Sequence, residues 1–303
     1  MALRYAAGPS GAGSARHRRA LRWDRYNYYL FVFSAAAVGA VVLAILLFVG
    51  IRGLAVFRAV SPLTFFFSAL WQPPAHLGVG AFIVGTFGVT LLALLLGAPL
   101  GVAGAIFLAK VSPPWARSLL RPAIDLLAGI PSVVYGWIGL TIFVPLIRRL
   151  PGGQSGFSLL AAGAILGIMI LPTVIGIATD ALLAVPVALE EGALALGATR
   201  WQTIWGVLLP AARPGVLTAV VLGMARAIGE TMAVQMVIGN TPRLATSLLA
   251  PTTSLTSGIV MDMGNTQFGT PWNDALFMMA FLLLVVSMLL ILLVRWVGRR
   301  ATV

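Results

Sequence analysis

Two charged residues, Arg226 and Glu230, lie within an otherwise apolar stretch, residues 216–239, which reads VLTAVVLGMARAIGETMAVQMVIG. A charge at the centre of a membrane-spanning helix costs about 2.5–3.5 kcal/mol on insertion scales, so such a residue normally faces a partner, a bundle interior or a hydrated pathway. Residues four apart project from one helix face, and the spacing therefore predicts an intramembrane ion pair between Arg226 and Glu230.

Three side chains of this stretch form the predicted substrate pathway. A guanidinium offers planar, permanently charged donors that suit an oxyanion, so we expect Arg226 to contact a permeant anion transiently. Glu230 would then position and partly neutralise Arg226, and Thr231 would contribute a hydroxyl. The alternative is a buried structural pair that locks two helices together, because such pairs also occur in membrane cores.

The chain holds few residues suited to catalysis or metal binding. It contains no Cys, and His17 and His76 are its only imidazoles. Cysteine nucleophiles, thiolate ligands and disulfides are therefore excluded, and Glu230 has no second membrane carboxylate or His beside it. We predict no catalytic residue, no metal site and a protein that is not an enzyme.

The composition is typical of a polytopic membrane protein. Of 303 residues, 60% are hydrophobic and 9% are charged, which leaves too few charges to cover a soluble protein of this size. The net charge of +12 and the pI of about 11.6 would also fit a nucleic-acid binder. However, the basic residues are scattered between apolar spans, and membrane orientation explains their excess better.

Uncharged runs predict an all-α fold with six transmembrane helices, since about 20 apolar residues cross the hydrocarbon core. The second run is longer than one upright span requires, so we expect it to tilt, to extend beyond the bilayer or to bend at Pro99. Residues 110–125 are predicted to be a polar connection. The predicted spans are 28–51, 77–109, 126–147, 157–179, 216–239 and 275–294.

Small residues recur at helical spacing in two of these spans. Gly97 with Gly101, and Gly163 with Gly167, each lie on a single helix face. Pairs of this kind allow neighbouring helices to approach closely, so we interpret them as packing sites.

The cations set the predicted orientation. With a cytoplasmic N-terminus, most of the 20 Lys and Arg residues fall on the inner side, as the positive-inside rule requires. Both termini are therefore expected in the cytoplasm of a bacterial cell, with the chain in the cytoplasmic (inner) membrane. The predicted regions are a basic cytoplasmic tail 1–27, the first transmembrane helix 28–51, an outer connection 52–76, a core 77–297 with helices two to six, including a cytoplasmic loop 180–213 and an outer loop 240–274, and a cytoplasmic tail 298–303.

The cytoplasmic loop is predicted to form two short helices joined by a tight turn, over residues 186–210. Gly197 suits the position just beyond the end of the first helix, where a left-handed conformation is common. Thr199 and Gln202 have the spacing of a capping box that begins the second helix. Such a pair would present a rigid knob to the cytoplasm.

A resemblance becomes specific in this loop. The pattern Glu191-Gly-Ala-x3-Gly197-x9-Val-x-Leu-Pro210 resembles the EAA-x3-G-x9-I-x-L-P signature of bacterial ABC importer permeases, with Gly192 in place of Ala and Val207 in place of Ile. The resemblance implies a type I ABC importer (MetI-like) permease fold and a loop that docks on an ATPase subunit. The residues expected to form this coupling loop are Glu190, Glu191, Gly192, Ala193, Gly197, Ala198, Thr199, Arg200, Trp201 and Pro210.

The chain itself lacks a phosphate-binding loop. Such a loop needs Gly-x4-Gly-Lys followed by Ser or Thr, and the only lysine, Lys110, is followed by Val111. We therefore expect no cofactor in this chain, with ATP and Mg²⁺ used by a separate ATPase.

Three further segments, 129–136, 225–234 and 239–242, resemble the permeases of phosphate ABC importers, with the best agreement to the PstC type. The resemblance covers about residues 75–300. It implies a PstA-type sister permease, two copies of a PstB-type ATPase subunit and a PstS-type phosphate-binding protein outside. On this basis the anion that Arg226 contacts would be phosphate.

Two alternatives remain open. Sulfate or molybdate permeases share the coupling loop, and only the Arg-Ala-Ile-Gly-Glu-Thr region distinguishes phosphate from them. A secondary transporter would use inverted repeats and coupling groups at the midplane, and the sequence displays no such repeat.

Overall fold

The computed structural model describes residues 11–153 and 155–299. The ends of the two predicted tails, residues 1–10 and 300–303, lie outside this part of the chain.

The chain forms two compact units, residues 1–51 and residues 52–303. Helix α1, Gly11–Leu54, makes up the described part of the first unit, so most of the predicted tail 1–27 is helical and continuous with the first span. Ala and Arg, which are frequent before Arg25, are good helix formers.

The second unit is almost entirely helical within the described residues. Its elements in chain order are the 3₁₀ turn Ala55–Arg58, α2 Pro62–Phe67, the antiparallel strands β1 Trp71–Gln72 and β2 His76–Leu77, α3 Gly80–Ile106, the π turn Phe107–Val111, α4 Pro114–Gly129, α5 Ser132–Ile138, the π turn Gly139–Phe143, α6 Val144–Arg148, α7 Leu159–Leu183, α8 Val187–Ala195, α9 Arg200–Thr203, the π turn Ile204–Leu208, α10 Leu209–Gly229, α11 Met232–Val237, α12 Leu255–Met263 and α13 Pro271–Arg299.

The predicted six spans are found when one bent helix pair is counted as a span. Among the described residues, five helical runs are long and apolar enough to cross a membrane: Tyr26–Arg58, Gly80–Val111, Leu159–Leu183, Arg200–Gly229 and Pro271–Leu293. The sixth is the pair Pro114–Gly129 and Ser132–Arg148, which is bent by 94°. The fold class predicted from the uncharged runs is therefore confirmed.

Helices α3 and α7 pack closely through the predicted glycines. A Cβ added to Gly97 would lie 2.5 Å from the carbonyl oxygen of Gly167, and one added to Gly101 would lie 2.7 Å from Val174. The predicted packing role of these glycines is confirmed. Pro99 lies inside the uninterrupted α3, so a break of the helix at this residue is not observed.

Of the six spans, the third differs most between the prediction and the structure. Residues 110–125 are largely helical, as the first part of α4, and the chain turns at Ile130 and Pro131. Proline lacks an amide hydrogen and disfavours a helical conformation in the residue before it, and Ile130 is accordingly extended, with φ −66° and ψ 127°. The Tyr135 hydroxyl donates to the Leu127 carbonyl at 2.8 Å and so joins the two sides of the bend.

The predicted fifth span, 216–239, is also interrupted. Helix α10 ends at Gly229, and Glu230 is extended, with φ −72° and ψ 131°. The Glu230 carboxylate accepts hydrogen bonds from the amides of Thr231 (3.1 Å) and Ala233 (3.5 Å), which the break leaves without helical partners. The Thr256 hydroxyl donates to the Glu230 carbonyl at 3.0 Å. Hydrogen bonds from the Glu230 side chain and from Thr256 thus replace the helical ones at the break.

The predicted outer segments contain more structure than connections require. In 52–76, Val56, Phe65 and Trp71 are buried against α13, and the Trp71 indole donates to Asp262 at 2.8 Å. In 240–274, residues 252–258 are buried, and the amide of Leu255 donates to the hydroxyl of Thr86 in α3 at 2.8 Å. Part of the predicted outer loop therefore belongs to the core.

Candidate functional site

Arg226 lies in the last turn of α10 and is half-buried. Its Nη1 donates to the Thr173 hydroxyl on α7 at 3.2 Å. The Tyr135 phenol on α5 is within electrostatic range of the same guanidinium. Three elements, α5, α7 and α10, thus meet around one cation.

The predicted ion pair between Arg226 and Glu230 is absent, and that prediction is wrong. Within the described residues, the salt bridges are Lys110–Glu190 and Arg121–Asp180, and no carboxylate oxygen lies within 4.0 Å of the Arg226 guanidinium. The reason is the end of α10 at Gly229: a spacing of four aligns two side chains only while the helix continues. Glu230 instead binds the amides at the start of α11.

Thr231 is half-buried beside Glu230, and its hydroxyl donates to the Gly229 carbonyl at 3.4 Å. The hydroxyl that contacts Arg226 is that of Thr173, which the sequence pattern does not single out. Its sequence signal is weak: a single hydroxyl next to Pro172 in an apolar span, 53 residues before Arg226. Tyr135 belongs to the segment 129–136, which only the family resemblance distinguishes.

The helices that follow the two interruptions pack against each other. A Cβ on Gly136 of α5 would lie 2.7 Å from the Met236 sulfur and 3.0 Å from Ala233 Cα, both in α11. Tyr135, Ala227 and Ala233 are members of one buried cluster. Non-helical backbone within a membrane protein is tolerated where it is buried in protein or lines a hydrated cavity. This packing buries Ala227 and Ile228 next to Arg226, whereas Gly129, Pro131 and Gly229, at the interruptions themselves, are exposed on this subunit.

The loop that is predicted to be cytoplasmic contains the predicted turn and capping box. Gly197 follows α8 with φ +87°, and the capping box between Thr199 and Gln202 is complete, with distances of 3.3 and 2.8 Å. The second helix is not a separate short one, because α9, the π turn and α10 form one run, Arg200–Gly229. The loop is therefore one short helix, a turn and the start of the fifth span.

Most of the predicted coupling residues are exposed. They include Glu191, Gly192, Gly197, Thr199, Arg200, Trp201 and Pro210, while Glu190, Ala193 and Ala198 are partly buried. Leu196, at the turn, is 91% exposed, and Trp201 and Trp205 are about 60% exposed. Large exposed apolar side chains beside charged ones are typical of a surface that binds another protein.

Residues 101–303 match the family described as "Binding-protein-dependent transport system inner membrane component". The chain belongs to this family. The matched residues contain the Arg226 site, the coupling loop and five of the six spans in whole or in part. The protein is therefore a permease component of an ABC importer, and its multiple spans place it in the membrane.

Curated relatives of this binding-protein-dependent permease align with nearly the whole chain. The "Probable ABC transporter permease protein YqgH" of Bacillus subtilis is 48% identical over 297 residues, which cover 96% of this chain and 95% of the relative. The "Phosphate transport system permease protein PstC" of Xylella fastidiosa strain Temecula1 is 35% identical over 303 residues, covering 91% and 92%. A "Probable phosphate transport system permease protein PstC" of Methanocaldococcus jannaschii is 31% identical over 282 residues, covering 84% and 89%.

Solved structures support the fold of this permease. A chain of a bacterial alginate ABC transporter, in complex with an alginate-bound periplasmic protein, superposes with a TM-score of 0.63 at 16% identity, over 92% of this chain and 98% of that one. A chain of the MetNI methionine ABC transporter in an inward-facing conformation gives 0.55 at 20% identity, over 80% and 99%. The predicted MetI-like permease fold is thus confirmed.

Proposed function

We propose that this permease is a membrane subunit of an ATP-driven importer of inorganic phosphate. It forms the translocation pathway together with a PstA-type sister permease. Two PstB-type ATPase subunits engage the coupling loop in the cytoplasm, and a PstS-type phosphate-binding protein delivers phosphate from outside. This arrangement places both termini in the cytoplasm, and it is supported by the relatives described as phosphate permeases.

The observation that carries the proposal is the state of Arg226. Its guanidinium is half-buried, bonded to the neutral Thr173 hydroxyl and without a carboxylate within 4.0 Å among the described residues. A cation with no carboxylate of the described chain within ion-pair distance favours an anionic ligand, and a guanidinium matches phosphate oxygens geometrically. Since Glu230 is engaged by backbone amides, it leaves this charge available.

Uptake in reconstituted vesicles tests the proposal. The permease is co-purified with its ATPase and sister subunits, and uptake of labelled phosphate is compared with that of sulfate and molybdate. We expect phosphate to be imported and Arg226→Gln to abolish its import while the complex still assembles and hydrolyses ATP. Arg213→Gln is the matched control, because Arg213 lies on the same helix but is exposed.

Each contrary result has its own meaning. Preference for sulfate or molybdate would overturn the substrate. Normal phosphate uptake by Arg226→Gln would overturn the pathway role of Arg226. Purification without any ATPase would overturn the assembly.

A further inference from the structure

Lys110 and Glu190 form the shorter of the two salt bridges among the described residues. Their Nζ–Oε2 distance is 2.6 Å, and their side chains are 12% and 33% exposed. Lys110 is the only lysine of the chain and lies in the π turn that ends α3. Glu190 lies in α8, next to Glu191 of the coupling-loop pattern. The pair therefore connects a membrane span to the coupling helix.

The backbone around Lys110 is held by several hydrogen bonds. The Ser112 amide closes the π turn by donating to Phe107 O at 2.7 Å. Arg117 donates to the Leu108 and Ala109 carbonyls at 2.8 and 2.9 Å, so these two carbonyls of the turn are satisfied. A π turn inside a helix is often found at a functional position.

The Glu190 end, by contrast, has little packing. Helix α8 contributes no buried residue to the core. A cleft of about 730 Å³ lies beside it, and the lining of this cleft includes Lys110, Leu194, Arg200 and Trp201. Because burial does not hold α8, the charged contact with Lys110 is the main side-chain tie to α3 among the described residues.

We propose that the Lys110–Glu190 pair fixes the coupling helix to the second span, so that a displacement of α8 by the ATPase is transmitted to α3. The proposal rests on the proposed function, since it requires an ATPase at the coupling loop. Helix α3 packs against α7 through glycines. Helix α7 carries Thr173, which accepts a hydrogen bond from Arg226, so a displacement of α3 can reach Arg226. Lys110 and Glu190 act here as positioning residues and do not contact the substrate.

A solvated surface pair would contribute little to any coupling. Lys110 differs because it is 12% exposed, and removal of Glu190 would leave its ammonium poorly solvated and unpaired. The Arg121–Asp180 pair, at 2.9 Å and with side chains 51% and 64% exposed, provides the comparison. It joins α4 to α7 and does not involve the coupling loop.

The test compares Lys110→Glu, Glu190→Lys and the double charge exchange in the assembled transporter. The first readout is the amount of ATP hydrolysed per phosphate imported. The second is the mobility of a spin label on a cysteine introduced at Leu194 of α8, which would be the only cysteine of this chain. The label is attached to the purified permease before the other subunits are added. Arg121→Glu is the matched control.

We expect each single reversal to raise the ATP-to-phosphate ratio several-fold and to mobilise the label, and the double exchange to restore both. The control should change neither. An unchanged ratio or an unchanged label mobility in the single variants would overturn the link, and so would a double exchange that restores nothing. Failure of the wild-type vesicles to import phosphate would instead overturn the proposed substrate, while the label still reports on the link.

Discussion

The Arg226 guanidinium donates to the Thr173 hydroxyl at 3.2 Å, from α10 to α7. This contact orients a charge that no carboxylate of the described chain neutralises. Thr173 thereby takes the positioning role that the sequence assigned to Glu230. The identity of this partner affects the mechanism, because a neutral hydroxyl leaves the full positive charge of Arg226 available to the ligand.

Thr173→Val should therefore reduce phosphate import several-fold without disrupting assembly. Valine has nearly the shape of threonine but removes the hydrogen bond that fixes the guanidinium. Initial uptake rates over a range of phosphate concentrations, together with size-exclusion profiles, measure the effect. Thr218→Val is a suitable control, because the Thr218 hydroxyl bonds to the Pro214 carbonyl of its own helix. Wild-type uptake by Thr173→Val would show that Arg226 needs no such partner.

Glu230 is expected to affect stability more than transport. Its carboxylate binds two amides at the start of α11, and Glu230→Ala should cost about 0.5–2 kcal/mol of stability, as for the loss of a helix cap. Glu230→Gln keeps a carbonyl acceptor and should retain most of the stability and uptake. Thermal unfolding in detergent and vesicle uptake measure the two properties. Complete loss of uptake in a stable Glu230→Gln protein would restore the view that Glu230 tunes Arg226.

Glycine packing between α3 and α7 gives a prediction about stability alone. A Cβ on Gly97 would lie 2.5 Å from the Gly167 carbonyl oxygen, so Gly97→Ala should destabilise the protein by about 1–3 kcal/mol through overpacking. Gly176→Ala is the control on α7, because a Cβ added at Gly176 would meet nothing within 4 Å. Unfolding midpoints of the two variants should differ clearly, with Gly97→Ala the lower. Equal midpoints would contradict the close approach.

The elements that the sequence predicts well are those set by local chemistry or by long apolar runs. The spans, the left-handed Gly197 and the Thr199 capping box all belong to this class. The break after Gly229 escapes such prediction, because an apolar run looks the same whether or not its helix continues. The break after Gly129 does have a local signal, Pro131, but this proline does not give the size of the bend. The partner of Arg226 escapes it for a related reason: Thr173 is distant in sequence, and only the packing of α7 on α10 brings the two together.

The coupling loop contains two glycines for which substitution by alanine should have opposite effects on stability. Gly197 has φ +87°, which costs an L-residue about 1–2 kcal/mol, so Gly197→Ala should destabilise the loop. Gly192 lies inside α8 with nothing within 4 Å of a Cβ, so Gly192→Ala should stabilise the helix by about 0.5–1 kcal/mol.

The two effects can be separated by hydrogen exchange of the α8 amides in the purified complex. Exchange should be faster in Gly197→Ala and slower in Gly192→Ala than in the wild type. Gly197→Asn is the control for backbone strain, because asparagine tolerates the left-handed conformation better than alanine does. If Gly197→Asn exchanges as fast as Gly197→Ala, the cause is loss of the glycine's small size at the proposed ATPase contact and not the strain of the turn. If Gly192→Ala speeds exchange, then α8 needs a flexible centre, and its rigid attachment through Glu190 would be contradicted as well.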